Sequence, residues 1–143
     1  GTFLVADIYN GDYIAADYRR LGYPDEFLRK NDETTDAQRA GFRKAVAAGV
    51  KIAYGTDAAV YPHGDNARQL PYMVRYGMTP IGALQAATIN AARNIGWEDR
   101  IGSISPGKYA DVIAVEGDAL ADLSRFMNVA FVMKAGQVFK RPK

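Results

Sequence analysis

Hydrophobic and polar positions follow two patterns along this chain, and each pattern predicts a different element. Residues 2–8 (TFLVADI) and 50–55 (VKIAYG) are short, β-rich and almost continuously apolar. Such runs are typical of buried strands in a parallel sheet. Residues 35–48 instead carry apolar side chains at helical spacing. A helix joined so closely to the strand that follows it indicates part of a βαβ unit.

Local signals set the ends of this first helix. Thr35 and Gln38 form a capping-box pattern at its start, and Gly49 supplies a stop. Residues 12–30 are aromatic and charged and are interrupted by glycine and proline. We therefore predict only short helical pieces between the first strand and Thr35.

Three further helices are predicted after the second strand. Residues 66–76 are helical in pattern, and Pro71 marks either the first helical position or a kink. Thr79, followed by proline, starts the next helix. Asn90 is expected to cap a last short helix, AARNI.

The pattern changes from residue 101 onward. The sequence IGSISPGKYADVIAVEG has a Pro-Gly turn and then an apolar strand at 111–115. The sequence NVAFVMKAGQVFK reads as two strands about a turn at Ala135-Gly136. This part predicts a small β element distinct from the α/β part.

Composition narrows the class of protein. The chain has 143 residues, 48% of them hydrophobic, which suits one globular domain with a packed core. The net charge of +2 is small and interspersed, so no nucleic-acid partner is expected. There is no cysteine, which excludes disulfides and thiolate zinc sites. No apolar run is long enough for a membrane span, so no membrane partner is expected either.

Candidate chemistry centres on the stretch AYGTDAAVYPHGDN. Asp57 ends the second predicted strand, where a carboxylate can hold a divalent metal or take a proton from bound water. From its spacing alone, the favoured interpretation is that Asp57 caps a turn, since Gly-Thr-Asp is a common loop tripeptide. His63, the only histidine, could bind substrate or metal, or be an ordinary loop residue. Asp7 ends the first strand at an equivalent level and fits a structural role.

Two further groups near these residues stay open. Asp65 and Asn66 precede a predicted helix, and simple N-capping is expected for at least one of them. Four tyrosines could line a pocket or pack against helices: Tyr9, Tyr13, Tyr18 and Tyr23.

Several motifs, in order, resemble the C-terminal part of the amidohydrolase superfamily. They are GTDAAVYPHGDNARQL, YGMTPIGALQAATINAARNIGW, DRIGSISPGKYADVIAVEGDALAD and VMKAGQVFK. The prolidase-like and Xaa-Arg-type zinc dipeptidases are most similar, and imidazolonepropionase is related. The resemblance implies an α/β fold: the last two βα units of a metal-dependent-hydrolase (β/α)8 barrel at residues 1–100. Residues 101–143 would form the C-terminal strands of a small composite β-sandwich.

The resemblance also implies roles for the candidate residues. Asp57 matches the aspartate that ligates the metal, takes a proton from a bridging hydroxide and delivers it to the leaving amine. His63 falls on a loop that reaches the substrate. The cofactor implied is zinc, as one or two divalent metals. The family site needs several histidines and usually a carboxylated lysine, and this chain has one histidine.

A larger assembly is therefore expected. A catalytic zinc site takes at least three protein ligands, and two βα units cannot close an eight-stranded barrel. We predict that the chain packs against an N-terminal portion of the same protein, which carries six strands and most ligands. The isolated chain should be inactive, and the assembled protein should form a homo-oligomer in the cytoplasm.

The expected activity is hydrolysis of the amide bond in dipeptides or N-acyl amino acids, as in a dipeptidase or carboxypeptidase. A cyclic-amide hydrolase of the imidazolonepropionase kind is the second reading. The third is a structural chain without catalysis. Profiling dipeptides against cyclic amides would separate the first two, and metal analysis would separate the third.

Overall fold

A computed structural model of the protein describes residues 1–142, so Lys143 lies outside the described residues. The strands form two sheets of different kinds. One is a parallel pair, and the other is antiparallel with strands in chain order. The parallel pair is β1 (Leu4–Ala6) and β2 (Ile52–Tyr54), and the antiparallel sheet is β3 (Val112–Val115), β4 (Val129–Lys134) and β5 (Gln137–Lys140).

Helices fill most of the chain between β1 and β3. Two of them continue into π-helical turns, and a 3-10 turn precedes a third. The helical elements are α1 (Asn10–Tyr13) with a π turn (Ile14–Tyr18), α2 (Asp25–Ala47), a 3-10 turn (Asp65–Arg68), α3 (Gln69–Arg75), α4 (Pro80–Gln85) with a π turn (Ala86–Asn90), and α5 (Ala91–Asn94). A short 3-10 helix (Leu123–Met127) precedes β4.

One hydrophobic core joins the parallel strands to the helices. Ile8, Ile52, Phe42 and Met73 are among its buried members. Leu123, from the segment between β3 and β4, is also buried in this core. The C-terminal part of the chain therefore shares the core of the α/β part. The division into units at residue 100 stays a prediction.

Several predicted elements are confirmed. Both parallel strands form where the apolar runs stand, with Leu4 opposite Ile52 and Ala6 opposite Tyr54. The Thr79 hydroxyl accepts a hydrogen bond from the amide of Gly82 at 3.1 Å, as an N-cap should. β4 and β5 pair about the predicted turn at 135–136.

Pro71 resolves the alternatives left open for the helix after the 57–65 loop. It is the third residue of α3, which begins at Gln69. The first turn of a helix has no intrahelical partner for its amides, so proline costs no hydrogen bond there. A 3-10 turn, not α-helix, occupies the preceding residues.

The capping role predicted for Thr35 is wrong. Helix α2 begins ten residues earlier, at Asp25, and Thr35 is buried in its interior. Its hydroxyl donates to the carbonyl of Asn31 at 2.7 Å, the back-bond that threonine makes one turn earlier in a helix. The helix predicted at residues 35–48 is thus the second half of the longer helix α2. The short helical pieces predicted for residues 12–30 are confirmed in part, by α1 and its π turn, but α2 already begins within that stretch.

The role predicted for Asn90 is also wrong. Asn90 has helical dihedrals (φ −72°, ψ −41°) and lies inside the continuous helical run from α4 to α5. Its side-chain amide donates to the carbonyl of Ile52 at 3.1 Å. It therefore joins this helical run to β2 and does not start a helix.

Full burial of the first strand is the third expectation that the structure does not bear out. Leu4 is 37% exposed and Val5 is 50% exposed. The reason is topological, because β1 has β2 on one side and no other described strand beside it.

Among residues 1–142, no helix is both long and apolar enough to cross a membrane.

Candidate active site at the ends of the parallel strands

A buried glutamine on α3 ties together the carboxyl ends of β1 and β2. Gln69 has 0% exposure, and its side-chain oxygen accepts hydrogen bonds from the amides of Ile8 (2.7 Å) and Tyr9 (3.1 Å). Its side-chain nitrogen donates to the carbonyls of Ala6 and Gly55. All four partners are backbone groups at the point where the strands end. Gln69 thereby fixes the positions from which Asp7 and Asp57 project.

Asp57 lies three residues beyond β2, in a tight turn. Its backbone has φ +50°, and its carbonyl accepts from the amide of Val60 at 3.1 Å. The residue is exposed, and no hydrogen bond or ion pair of its carboxylate is found within residues 1–142. A carboxylate at a strand end with free oxygens can accept a proton or ligate a cation. The turn that the spacing suggested is real, and it leaves the side chain available.

Asp7 is a second carboxylate at the same level, one residue after β1. Asn10 donates to its carboxylate at 3.0 Å, and Gln38 donates to its main-chain carbonyl at 3.0 Å. Burial raises the pKa of Asp7, and the negative charge of Asp57 raises it further. The two carboxylates are thus near enough to interact, and the hydrogen bonds on Asp7 fit the structural role expected of it.

Metal ligation cannot be completed by this part of the chain. Within the described residues, no group of three histidine, aspartate or glutamate side chains is close enough to hold a metal ion. A catalytic zinc site takes three protein ligands and a water. The side chains of the described residues therefore fit a contribution of one carboxylate, Asp57, to a metal site that other residues would complete.

His63 lies at the rim of a cleft of about 350 Å³ between two loops. One wall comes from the segment after β1, and the other is the loop 59–63 after β2. We call this feature the aromatic cleft, because four of its lining residues are tyrosines: Tyr13, Tyr18, Tyr23 and Tyr61. His63 is exposed there, in keeping with its expected place on a loop that reaches substrate, but its role stays a prediction.

Four tyrosines were predicted either to line a pocket or to pack against helices, and the structure shows both roles. Tyr13, Tyr18 and Tyr23 line the aromatic cleft. Tyr9 is buried instead, with its ring in edge contact with the rings of Tyr61 (5.0 Å) and Tyr72 (5.2 Å) between centroids. Within residues 9–23, one tyrosine therefore packs in the interior and three line the cleft.

Tyr61 forms the floor between the cleft and the core. It is 1% exposed, and burial raises the pKa of its phenol. The nearby Thr56 hydroxyl lowers that pKa, yet no hydrogen bond of normal geometry to the Tyr61 oxygen is found among residues 1–142. The contacts of Tyr61 with its surroundings are made by its ring, which meets the ring of Tyr9 at 5.0 Å and that of Tyr13 at 6.0 Å between centroids.

The expected N-capping role of Asp65 or Asn66 is not found. Asp65 forms an ion pair with Arg68 at 3.2 Å. The side-chain oxygen of Asn66 accepts from the amide of Gly64 at 3.0 Å, and its main-chain carbonyl accepts from the Tyr54 hydroxyl. These residues fold the loop between β2 and α3 and neither caps the 3-10 turn.

Two residues of the site were not singled out from the sequence. No sequence motif marks Gln69, because its hydrogen-bond partners are backbone atoms 14 to 63 residues away along the chain. Tyr61 lies inside the quoted stretch around Asp57 and could have been added to the four tyrosines as a fifth aromatic. The feature that could have identified it is its position two residues before His63.

Known proteins are similar to this chain over lengths that range from about half to nearly all of it. The ochratoxinase of Aspergillus niger is 39% identical over 126 residues, covering 85% of this chain and 26% of that protein. A crystal structure of a Xaa-Pro dipeptidase with bound methionine in the active site has a TM-score of 0.90 and 39% identity, covering 98% of this chain and 35% of that one. The imidazolonepropionase of Geobacillus kaustophilus is 40% identical over 79 residues, covering 52% of this chain and 18% of that protein.

The matched part of the chain thus spans about a fifth to a third of the length of these relatives. The fold is the mixed α/β amidohydrolase fold with an antiparallel sheet, and the parallel pair is consistent with a barrel. Members of the family generally bind divalent metals. Residues 5–139 match the amidohydrolase family, and the chain belongs to that family of hydrolases.

Proposed function

We propose that this chain is part of a metal-dependent amidohydrolase that cleaves the amide bond of dipeptides or N-acyl amino acids. The observation that carries the proposal is the exposed carboxylate of Asp57 at the end of β2, held in place by the Gln69 hydrogen bonds to both strands. The solved Xaa-Pro dipeptidase, with methionine in its active site, supports a peptide or amino-acid substrate.

Asp57 would do the proton work of the reaction. Its carboxylate would accept a proton as water attacks the amide carbonyl, and would return that proton to the leaving nitrogen. It would also contribute one ligand to a divalent metal, with zinc as the expected ion. That metal would supply polarisation of the carbonyl and activation of water. Gln69 would hold the backbone at Gly55, two residues before Asp57, and would thereby keep the Asp57 carboxylate in position.

The remaining ligands would come from an N-terminal portion of the same protein that adds the other barrel strands. The exposed side chains of Leu4 and Val5 on β1 support such a neighbour, because an open strand edge with apolar side chains favours pairing. The length of the relatives supports it as well. His63 would contact the substrate from the rim of the aromatic cleft, and the assembled protein would form a homo-oligomer.

Asp57→Asn tests the proposal in the full-length protein. Asparagine keeps the size and an oxygen ligand but cannot accept the proton, so turnover of a dipeptide should fall by about 100-fold or more while far-UV circular dichroism stays unchanged. Asp99→Asn, an exposed carboxylate outside both loops, is the matched control and should leave turnover as it is. Near-normal turnover in Asp57→Asn would refute the assignment.

A cyclic-amide hydrolase is the second candidate, favoured by the similarity to imidazolonepropionase. Both candidates would use Asp57 in the same way, so the mutation cannot separate them. Hydrolysis rates measured on a panel of dipeptides, N-acyl amino acids and cyclic amides separate the two candidates. If no member of the panel is hydrolysed and metal analysis finds no bound zinc in the assembled protein, the chain is non-catalytic.

A further inference from the structure

The aromatic cleft is joined to the candidate active site by both of its walls. Its first wall follows β1, and its second wall, the loop 59–63, begins two residues after Asp57. The Tyr18 hydroxyl donates to the carbonyl of Val60 at 3.4 Å and so bridges the two walls. In parallel α/β folds, the loops after the strands bind substrate. The cleft therefore lies on the side of the sheet where Asp57 is found.

The walls of the cleft favour an uncharged ring over a charged group. Besides the tyrosines and His63, its lining residues are Leu21, Ala59, Val60 and Pro62, with no lysine, arginine, aspartate or glutamate among the described ones. A charged ligand group placed there would lose its water without gaining an opposite charge. An apolar group would instead lose little on leaving water.

The tyrosines are arranged to receive another ring. Tyr18 and Tyr23 stack face to face with centroids 4.0 Å apart and planes 16° apart. Tyr13 meets Tyr18 edge-on at 6.2 Å and 86°. Aromatic pairs gain from both geometries. Tyr23 lines the cleft and is 45% exposed, so its side chain is accessible to a ligand.

The size of the cleft matches a single side chain. A cavity of about 150 Å³ is enough to bind benzene in an engineered protein. The cleft has about 350 Å³, which is near the lower bound for a complete small-molecule site. The cleft is open to solvent, unlike that enclosed cavity, so it offers room for one six-membered ring against the tyrosines while the rest of the ligand lies outside.

We propose that the aromatic cleft is the subsite for an aromatic side chain next to the scissile amide of the substrate. This inference rests on the proposed function, because it takes the amide to lie at Asp57. The tyrosines would determine specificity and would take no part in the chemistry.

Kinetics on the full-length protein test the subsite. Ala-Phe and Phe-Ala place the ring on either side of the amide, and Ala-Ala lacks it. Tyr23→Ala should lower kcat/KM for one of the aromatic dipeptides by about two- to tenfold, the gain of one ring pair, and leave Ala-Ala unchanged. Tyr23→Phe, which keeps the ring, should restore the wild-type ratio. Tyr109→Ala removes a tyrosine of similar exposure outside the cleft (50%, against 45% for Tyr23) and is the control.

A binding measurement separates failure of the subsite from failure of the proposed function. Saturation-transfer NMR on the metal-free full-length protein compares N-acetyl-L-phenylalaninamide with N-acetyl-L-alaninamide. Selective binding of the phenylalanine compound that Tyr23→Ala weakens would support the subsite even if no dipeptide is hydrolysed. No preference for the aromatic compound, or an equal loss of Ala-Ala and aromatic turnover in Tyr23→Ala, would overturn it.

Discussion

Replacing Gln69 by leucine should destabilise the protein more than any surface change. Leucine has a similar size but can neither accept from the amides of Ile8 and Tyr9 nor donate to the carbonyls of Ala6 and Gly55. The Ala6 carbonyl keeps one partner, the amide of Gly55 at 3.0 Å. Three backbone groups are then left without a partner.

The magnitude follows from these three groups. A buried polar group without a partner costs about 1–3 kcal/mol. The amides of Ile8 and Tyr9 are buried, and the Gly55 carbonyl is partly buried and can reach water more easily. We therefore expect a loss of about 3–5 kcal/mol in the free energy of unfolding. That is a large share of the roughly 5–15 kcal/mol typical of a protein domain.

Equilibrium unfolding in urea, followed by far-UV circular dichroism, measures this loss. Gln85→Leu is the matched control, because Gln85 is exposed on α4 and should change stability by less than about 0.5 kcal/mol. A loss below about 1 kcal/mol for Gln69→Leu would mean that water or a shifted backbone satisfies the strand ends. The reasoning about the glutamine would then be wrong.

Two more changes test the packing around the site. Burial raises the pKa of Asp12, but hydrogen bonds from Tyr72 and Arg39 outweigh it and hold that pKa below its usual 3.8. A lowered carboxyl pKa stabilises the fold above the ordinary value and ceases to do so as the pH falls through the folded value. Urea unfolding should therefore show Asp12→Asn less stable than wild type at pH 7, with the difference shrinking toward pH 2; a constant difference would contradict this. Gly102→Ala should lower the melting temperature, because a Cβ there would lie 2.7 Å from the Cβ of Ala92.

The control for the second change is Gly107→Ala. Gly102 and Gly107 have nearly the same backbone, with φ of +88° and +87°, but a Cβ at Gly107 would meet nothing within 4 Å. Both variants pay the same conformational cost, so the difference between their melting temperatures measures the steric clash alone. Equal melting temperatures would show that the helix bearing Ala92 moves aside at little cost.

Local signals in the sequence predicted the elements whose ends depend on neighbouring residues. The Thr79 cap needs only Gly82, three residues away, and the turn at 135–136 needs only its flanking strands. The strand runs at residues 2–8 and 50–55 were found because apolar β-rich residues cluster there. Such features are encoded within a few residues, so a sequence alone can show them.

The start of α2 could not be found in this way, because its inner face is polar. Asn31, Thr35 and Arg39 are spaced four residues apart and are buried without being apolar. Asn31 donates to the carbonyl of Gly11 at 2.9 Å, and Arg39 pairs with Asp12 at 2.5 Å. A helix that faces its core with polar side chains has no hydrophobic period in that half. The capping-box pattern at Thr35 was therefore mistaken for the beginning.

The candidate site divides in the same manner. Asp57 could be proposed from its place after a strand, and it does lie there, although its metal and catalytic roles remain predictions. The aromatic cleft depends on two loops that are about 40 residues apart and meet only in the fold. Gln69 depends on backbone atoms in three segments. Neither the cleft nor the Gln69 hydrogen bonds can be predicted from residue spacing within a single segment.

The hydrogen bonds of Gln69 have a consequence for how such a site can change over generations. The glutamine recognises main-chain atoms only, so the side chains at positions 6, 8, 9 and 55 are not required for its grip. Side chains in the loops that follow the strands can therefore be replaced, which changes the surface around Asp57, while Gln69 still holds the strand ends. An anchor that binds only main-chain atoms thus leaves the specificity of the loops free to change on the same scaffold.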